Sequence, residues 1–225
     1  MVEEITGTQL GPMKSLHLIL DKWKSLMQDP QWGKDDAPWW YNERALLSLL
    51  AGAVWKCGEW AFEEFATNKR TITKRGKHKR RAGRGDIMFQ IGKDTFIAEA
   101  KQCWPILGYR NRNAISTVKE ALHEARIQSA RLPSEGQKLG IVFAVPCLHE
   151  SKQEDSEKIL YDFISRFTSL KNSTITWVFP REKRTLKGGD GYIYPGIVLV
   201  LRPLKLKKGL NIGHEYRERK IFVNN

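Results

Sequence analysis

Two carboxylates and an ammonium stand close together in the middle of the chain: Asp86, then twelve intervening residues, then Glu99 and Lys101. Residues 86–91 (Asp-Ile-Met-Phe-Gln-Ile) and 95–102 both read as strands. They flank the turn sequence Gly92-Lys93-Asp94, which predicts a β-hairpin. Side chains alternate between faces along a strand, so Glu99 and Lys101 point to the same side. They sit among Phe96, Ile97, Ala98 and Ala100, where charge is costly to bury without a partner. A hairpin closed at Gly92-Lys93 lays Asp86 opposite roughly residue 99. Two carboxylates then converge beside Lys101, and such a pair repels unless a cation lies between its members. Hard oxygen ligands suit Mg²⁺ or Mn²⁺. An ion of that kind stabilises charge on a phosphoryl oxygen and supplies hydroxide at neutral pH, while a nearby Lys can orient the attacking water. Phosphodiester hydrolysis uses all of these parts.

Holding such a cluster requires a sheet with helices against it. Residues 13–28 predict a helix, with Leu16, Ile19, Leu20 and Trp23 at helical spacing. A polar, Trp-rich linker runs through Pro38, and a strong helix follows from Trp39 to Cys57. Residues 60–66 predict a short strand, and the basic block behind it a loop or hairpin arm. After the central hairpin come an amphipathic helix at 114–132, with Val118, Ala121, Leu122, Ala125 and Leu132 on one stripe, and a fully buried strand at 139–146. A helix at 154–170, strands at 174–179 and 192–202, and a flexible Gly188-Gly189-Asp190-Gly191 loop complete the order. Helix, three strands, helix, strand, helix, strand predicts an α/β fold with a mixed central sheet. Glu43 is followed by Leu46, Leu47, Leu50 and Val54 on one stripe, so its carboxylate faces the sheet. A first-turn acid is also favoured by the helix dipole, and Asp36 and Pro38 mark a helix start nearby, so both readings of Glu43 stand. Glu63 and Glu64 are rival acids, since one of two adjacent strand residues must face inward.

Asp86 followed by Glu99-Ala100-Lys101 resembles the D…(D/E)xK signature of the PD-(D/E)XK, restriction-endonuclease-like nuclease superfamily. That superfamily has an αβββαβ core, and the element order above is similar to it. The Pro of its signature is replaced here by Gly85. The resemblance spans roughly residues 39–146. It implies that Asp86, Glu99 and the carbonyl of Ala100 ligate Mg²⁺ or Mn²⁺, that Lys101 acts on the attacking water, and that Glu43 supports the site. Gln102 follows the Lys, as a polar residue does in some members, although strand alternation points it the other way. The implied activity is a divalent-metal-dependent nuclease, most simply on DNA with RNA as an alternative. A homodimer is compatible, because many members dimerise.

The chain has 225 residues, with 38 Lys plus Arg against 25 Asp plus Glu, a net charge of +13. Nine basic and no acidic residues fall within 69–84: Lys69, Arg70, Lys74, Arg75, Lys77, Lys79, Arg80, Arg81 and Arg84. Such a run either stays solvated or grips a phosphate backbone, giving sequence-independent, salt-sensitive binding. Lys119 and Arg126, away from the apolar stripe of their helix, either touch phosphate or face solvent. A non-catalytic nucleic-acid-binding module on the same fold is the runner-up, and a protein-interaction domain whose arm meets an acidic surface is a third reading. The longest apolar stretch, Ala45 to Trp55, is about half the ~20 residues a membrane span needs, so no membrane partner is expected. No secretory signal is read at the N-terminus. Cys57, Cys103 and Cys147 are odd in number and far apart, which argues against a disulfide framework or zinc ribbon and for a cytoplasmic setting. The eight tryptophans read as core. The expected organisation is a helical N-terminal extension (1–37), the nuclease domain (38–203) and a basic tail (204–225).

Overall fold

The computed structural model describes residues 5–9, 11–72, 78–109, 113–133 and 136–204. Its elements in chain order are β1 (Ile5–Gln9), α1 (His17–Met27), α2 (Glu43–Lys56), β2 (Ala61–Ile72), β3 (His78–Ile91), β4 (Asp94–Cys103), α3 (Ala114–Ala130), β5 (Gln137–Ala144), β6 (Leu148–His149), α4 (Ser156–Arg166), β7 (Thr174–Phe179), β8 (Tyr192–Ile193) and β9 (Ile197–Pro203). Seven strands form one mixed sheet in the order β1-β7-β9-β5-β4-β3-β2, and β6 pairs with β8 separately. In the large sheet only β4 and β5 run parallel, joined through α3; a parallel pair needs such a crossover, whereas hairpins need only a turn.

Helices cover both faces of the sheet. The first layer is α1 and α2, whose Leu20, Trp23, Leu46 and Leu50 pack on Ile87, Phe89, Phe96, Ala98, Leu139, Ile141 and Phe143. The second is α3 and α4, whose Val118, Leu122, Leu160 and Phe163 pack on Val142, Ala144, Ile175 and Val200. Burial on both faces explains why 139–146 is a continuous apolar run. The segment expected as an N-terminal extension contributes an edge strand on β7 and a helix in the main core. Strand β1 is short and polar, Ile-Thr-Gly-Thr-Gln, and carries little apolar signal.

The hairpin register is the one the turn dictates. Ile91 pairs with Asp94, leaving Gly92-Lys93 as a two-residue loop, and Ile87 pairs with Ala98. Gly92 has φ +57°, which a two-residue hairpin loop asks of its first position. Phe89 and Phe96 stack across the pair with centroids 5.1 Å apart. Sequence pattern stops the preceding strand at residue 66, yet β2 continues to Ile72 and pairs with β3 out to His78. The basic block is therefore largely strand: a two-stranded ribbon satisfies its own backbone, and of its described basic side chains Arg81 and Arg84 are exposed while Lys69 is not. Lys74, Arg75 and Lys77 lie outside the described residues, as do the side chains of Arg70, Lys79 and Arg80 and the tail beyond Leu204. Among the described residues no helix is long and apolar enough to cross a membrane.

Candidate active site

Strand β4 brings the chemistry together. Its even residues, Phe96, Ala98 and Ala100, face the α1/α2 layer, so Glu99 and Lys101 face α3. Glu99 is buried, with 2% of its surface exposed. Asp86 lies beside it, one residue beyond the Ile87–Ala98 pair, and its Oδ2 accepts the Ala100 N–H at 2.8 Å. Glu43 arrives from the other layer. Asn42 caps α2 by accepting the Ala45 N–H at 3.1 Å, which makes Glu43 the first helical residue. Helical side chains lean toward the N-terminus, and Glu43 Oε2 accepts the Gln102 N–H at 2.8 Å. Asp86 and Glu43 thus each hold a backbone N–H of β4, two residues apart.

The electrostatics bind the four groups into one site. Burial pushes the Glu43 carboxyl above its ordinary value; Lys101 and the Gln102 N–H oppose that, while Asp86 and Glu124 add to it. Burial likewise raises Glu99, with Lys69 and Lys101 opposing and Asp86 adding. Lys101 itself makes no hydrogen bond or ion pair among the described residues.

Lys69 has a role its place in a basic run does not suggest. Its Nζ lies 2.7 Å from Glu99 Oε1, an ion pair whose approach is off the angle of a hydrogen bond, so that Oε1 has no aligned donor. The Lys69 stem passes over Gly83, near enough that an added Cβ would lie in ordinary contact with its Cγ and Cδ at 3.4 Å. Among the described residues no three acidic, histidine or cysteine side chains converge closely enough to hold a metal ion. The contacts above explain this: Glu99 is drawn to Lys69, and Asp86 and Glu43 each give one oxygen to the strand.

The remaining sequence candidates scatter. Glu63 turns to the α2 layer and accepts from Ser48 Oγ at 2.8 Å. Glu64, at φ +50°, meets Arg44 at 3.4 Å and Arg84 at 3.6 Å. The structure brings neither acid into the cluster. Gln102 points away from Lys101, as alternation requires, and its Nε2 donates to the Tyr41 carbonyl at 3.0 Å. Arg81 and Lys119 are exposed.

Arg126 is not on the solvent face. It packs over Gly140, where an added Cβ would come within 2.6 Å of its Cγ, and its Nε is buried without a partner. Its position four residues after Leu122 sets it at the margin of the buried stripe, where a long side chain can lie along the sheet. Gly140 pairs with Glu99 on one side and Arg202 on the other. Burial, and then the nearby Arg126, hold Arg202 below its ordinary pKa. Across the sheet, acids on β3 and β4 thus give way to arginines beside β5 and on β9.

Ser129 belongs to no motif in the sequence, yet it touches the site. Its hydroxyl accepts the Glu99 N–H at 3.0 Å and donates to the Leu139 carbonyl, bridging β4 to β5 beneath α3. Its signal in the sequence is position: a polar residue seven after Leu122, on the buried stripe. The tryptophans divide. Trp23 and Trp39 are fully buried, whereas Trp40, Trp55 and Trp104 are 39%, 54% and 53% exposed.

No protein-family model matches the chain. Neither a curated protein nor a solved structure matches it.

Proposed function

We propose that the chain is a divalent-metal-dependent nuclease acting on DNA, on a restriction-endonuclease-like αβββαβ core running from α2 through β2, β3, β4 and α3 to β5. One observation carries the reading: Glu43, Asp86, Glu99 and Lys101 come from three elements and two layers, yet share one electrostatic site around β4. Holding two backbone N–H groups of β4 accounts for one oxygen each of Asp86 and Glu43; it does not account for the buried Glu99 and the unpaired Lys101 beside them, the pattern that functional sites favour.

The donor chemistry fits a hard cation. Asp86 and Glu43 give only Oδ2 and Oε2 to the strand, leaving Oδ1 and Oε1 without a hydrogen bond from the described residues, whereas Glu99 Oε1 is taken up by the Lys69 ammonium at 2.7 Å, which a metal ion would have to displace. Asp86, Glu99 and the Ala100 carbonyl would hold Mg²⁺ or Mn²⁺, with Glu43 beside them. When bound, such an ion offsets the charge that builds on a phosphodiester oxygen. Lys101 carries an unpaired ammonium on the same face and would orient the water or stabilise the phosphoryl charge. Arg81, and the rest of the β2–β3 ribbon, would grip the phosphate backbone.

The pairing of Glu99 with Lys69 favours a second reading, a non-catalytic DNA-binding module in which that ammonium permanently fills the cation position. One experiment separates the two: incubation of linear, circular and single-stranded DNA with Mg²⁺, Mn²⁺ or EDTA, wild type beside Lys101→Ala. The nuclease reading expects metal-dependent cleavage that Lys101→Ala abolishes. DNA binding indifferent to metal, with no cleavage of any substrate, overturns it in favour of the binding module.

A further inference from the structure

Immediately beyond the C-terminal end of β4 lies a cleft of about 560 Å³, walled by Trp39, Trp40, Trp104 and Tyr194 and bordered by Lys187 and Asp190. We propose that this cleft takes unpaired bases of single-stranded DNA and feeds that strand to the Asp86–Glu99–Lys101 cluster; the inference rests on the nucleic-acid reading of that cluster.

The cleft adjoins the cluster along the chain on both sides. Trp104 follows Lys101 by three residues, and Trp40 precedes Glu43 by three. The Gln102 side chain ties the two segments, donating to the carbonyl of Tyr41 next to Trp40. The walls are set in advance: Trp39 Nε1 donates to the Tyr194 carbonyl at 2.9 Å, joining the turn before α2 to the turn before β9. The volume falls in the ~300–1,000 Å³ range of sites that enclose a small ligand.

Stability does not explain the exposed rings. Trp23 shows what this fold does with a structural tryptophan, burying it completely, while Trp40 and Trp104 leave 39% and 53% of their surface in water. An indole face in water gains free energy by stacking on any base, whatever its identity. The chain carries +13, which favours a polyanion as partner. On the cleft wall itself Lys187 is paired with Glu150 at 3.0 Å, so the aromatic faces and not local charge make the contact. The acid on the cleft wall is already engaged: Asp190 accepts from Tyr194 Oη at 2.6 Å and from the Tyr192 N–H at 3.1 Å. Gly189, with open space where a side chain would stand, lets a strand pass close to the backbone there. Within a duplex each base face is covered by its stacked neighbour, leaving only the terminal pairs, so the cleft discriminates for unpaired substrate.

The test is binding in EDTA, so it is independent of any cleavage. The probes are a fluorescein-labelled oligothymidylate of about twelve residues, its abasic counterpart of equal charge, and a blunt duplex, read by anisotropy and by quenching of tryptophan fluorescence. Trp40→Ala and Trp104→Ala should each weaken oligothymidylate binding about tenfold, with duplex and abasic binding little changed, and Trp104→Phe should restore most of the loss. Unchanged oligothymidylate affinity in the double alanine variant overturns the proposal. So does an equal loss on the blunt duplex, or abasic binding as tight as oligothymidylate. Cleavage with Mg²⁺ could fail while this binding persists, so the nuclease reading and the cleft are sunk by different results.

Discussion

The two halves of the sheet follow opposite rules. On the β5–β9–β7 side, Leu139, Ile141, Val142, Phe143, Ile175, Val198, Leu199 and Val200 alternate between two helical layers, and all are buried. On the β4–β3–β2 side the face toward α3 carries Glu99, Asp86 and Lys69, with Lys101 at its end. The first half is shaped mainly by area removed from water, with Arg202 of β9 as its exception, the second by charges that must hold one another in place. Acids collected where burial opposes their charge, as on β3 and β4, are the commoner mark of a working site.

Substitutions that are mild on one half and severe on the other sharpen this contrast. The largest effect is expected at Asp86→Asn. Asn still accepts the Ala100 N–H, so the thermal midpoint should stay near wild type, while cleavage falls on the order of a hundredfold or more. An unfolded Asp86→Asn protein would make Asp86 a structural acid and erase the contrast. On the apolar half the outcome reverses. Phe143→Ala, at a fully buried position, should cost about 3–5 kcal/mol in denaturant titration, and the surviving folded fraction should keep its specific activity.

A third substitution probes the seam between the halves. Gly140→Ala places a Cβ within 2.6 Å of Arg126 Cγ and should destabilise by roughly 1–3 kcal/mol. Removing the opposing side chain with Arg126→Ala should recover the part owed to Cγ, while the Arg126 backbone N stays 3.1 Å from the new Cβ. No recovery in the double variant would mean that the strand, not the arginine stem, needs the glycine. A fourth concerns the ribbon: Arg81→Ala should lower the slope of log affinity for DNA against log salt by about 0.9 if that side chain contacts a phosphate. An unchanged slope would place Arg81 outside the contact surface.

The sequence was most legible where one local rule decided the outcome. The Gly92-Lys93 turn fixed the pairing of Ile87 with Ala98 and hence the meeting of Asp86 with Glu99. Alternation put Gln102 on the far face, and the leucine spacing turned Glu43 inward. It was least legible where tertiary partners decide. Nothing local told that Lys69 leaves its basic run to pair with Glu99, since the two are thirty residues apart and meet only through a diagonal across Gly83. Arg126 depended on Gly140 being empty enough to lie over. Trp40 and Trp104 look like Trp23 in composition and differ only in what surrounds them. Strand β1 was invisible because an edge strand needs only one covered face and draws its partner from a segment about 170 residues away.

The smallest expected effect follows from the buried Glu99 itself. Burial raises its pKa above the ordinary 4.5, against the opposing pull of Lys69 and then Lys101. Between 4.5 and the raised value the folded chain holds a proton that the unfolded chain has released, so this group's contribution to stability falls as pH rises through that window. Below 4.5 both states are protonated and the contribution is fully present. Glu99→Gln, neutral throughout, should remove this slope, and the two proteins' stability curves should diverge as pH rises from 4.5. Lys69→Met should have the opposite effect, since losing the ammonium raises the carboxyl further and carries the falling window to higher pH. Denaturant midpoints for the three proteins at closely spaced pH values read this directly. If Lys69→Met leaves the window where it was, the 2.7 Å pair is not what opposes the upward shift of Glu99; the opposing pull would then come from Lys101, the residue proposed to serve the reaction.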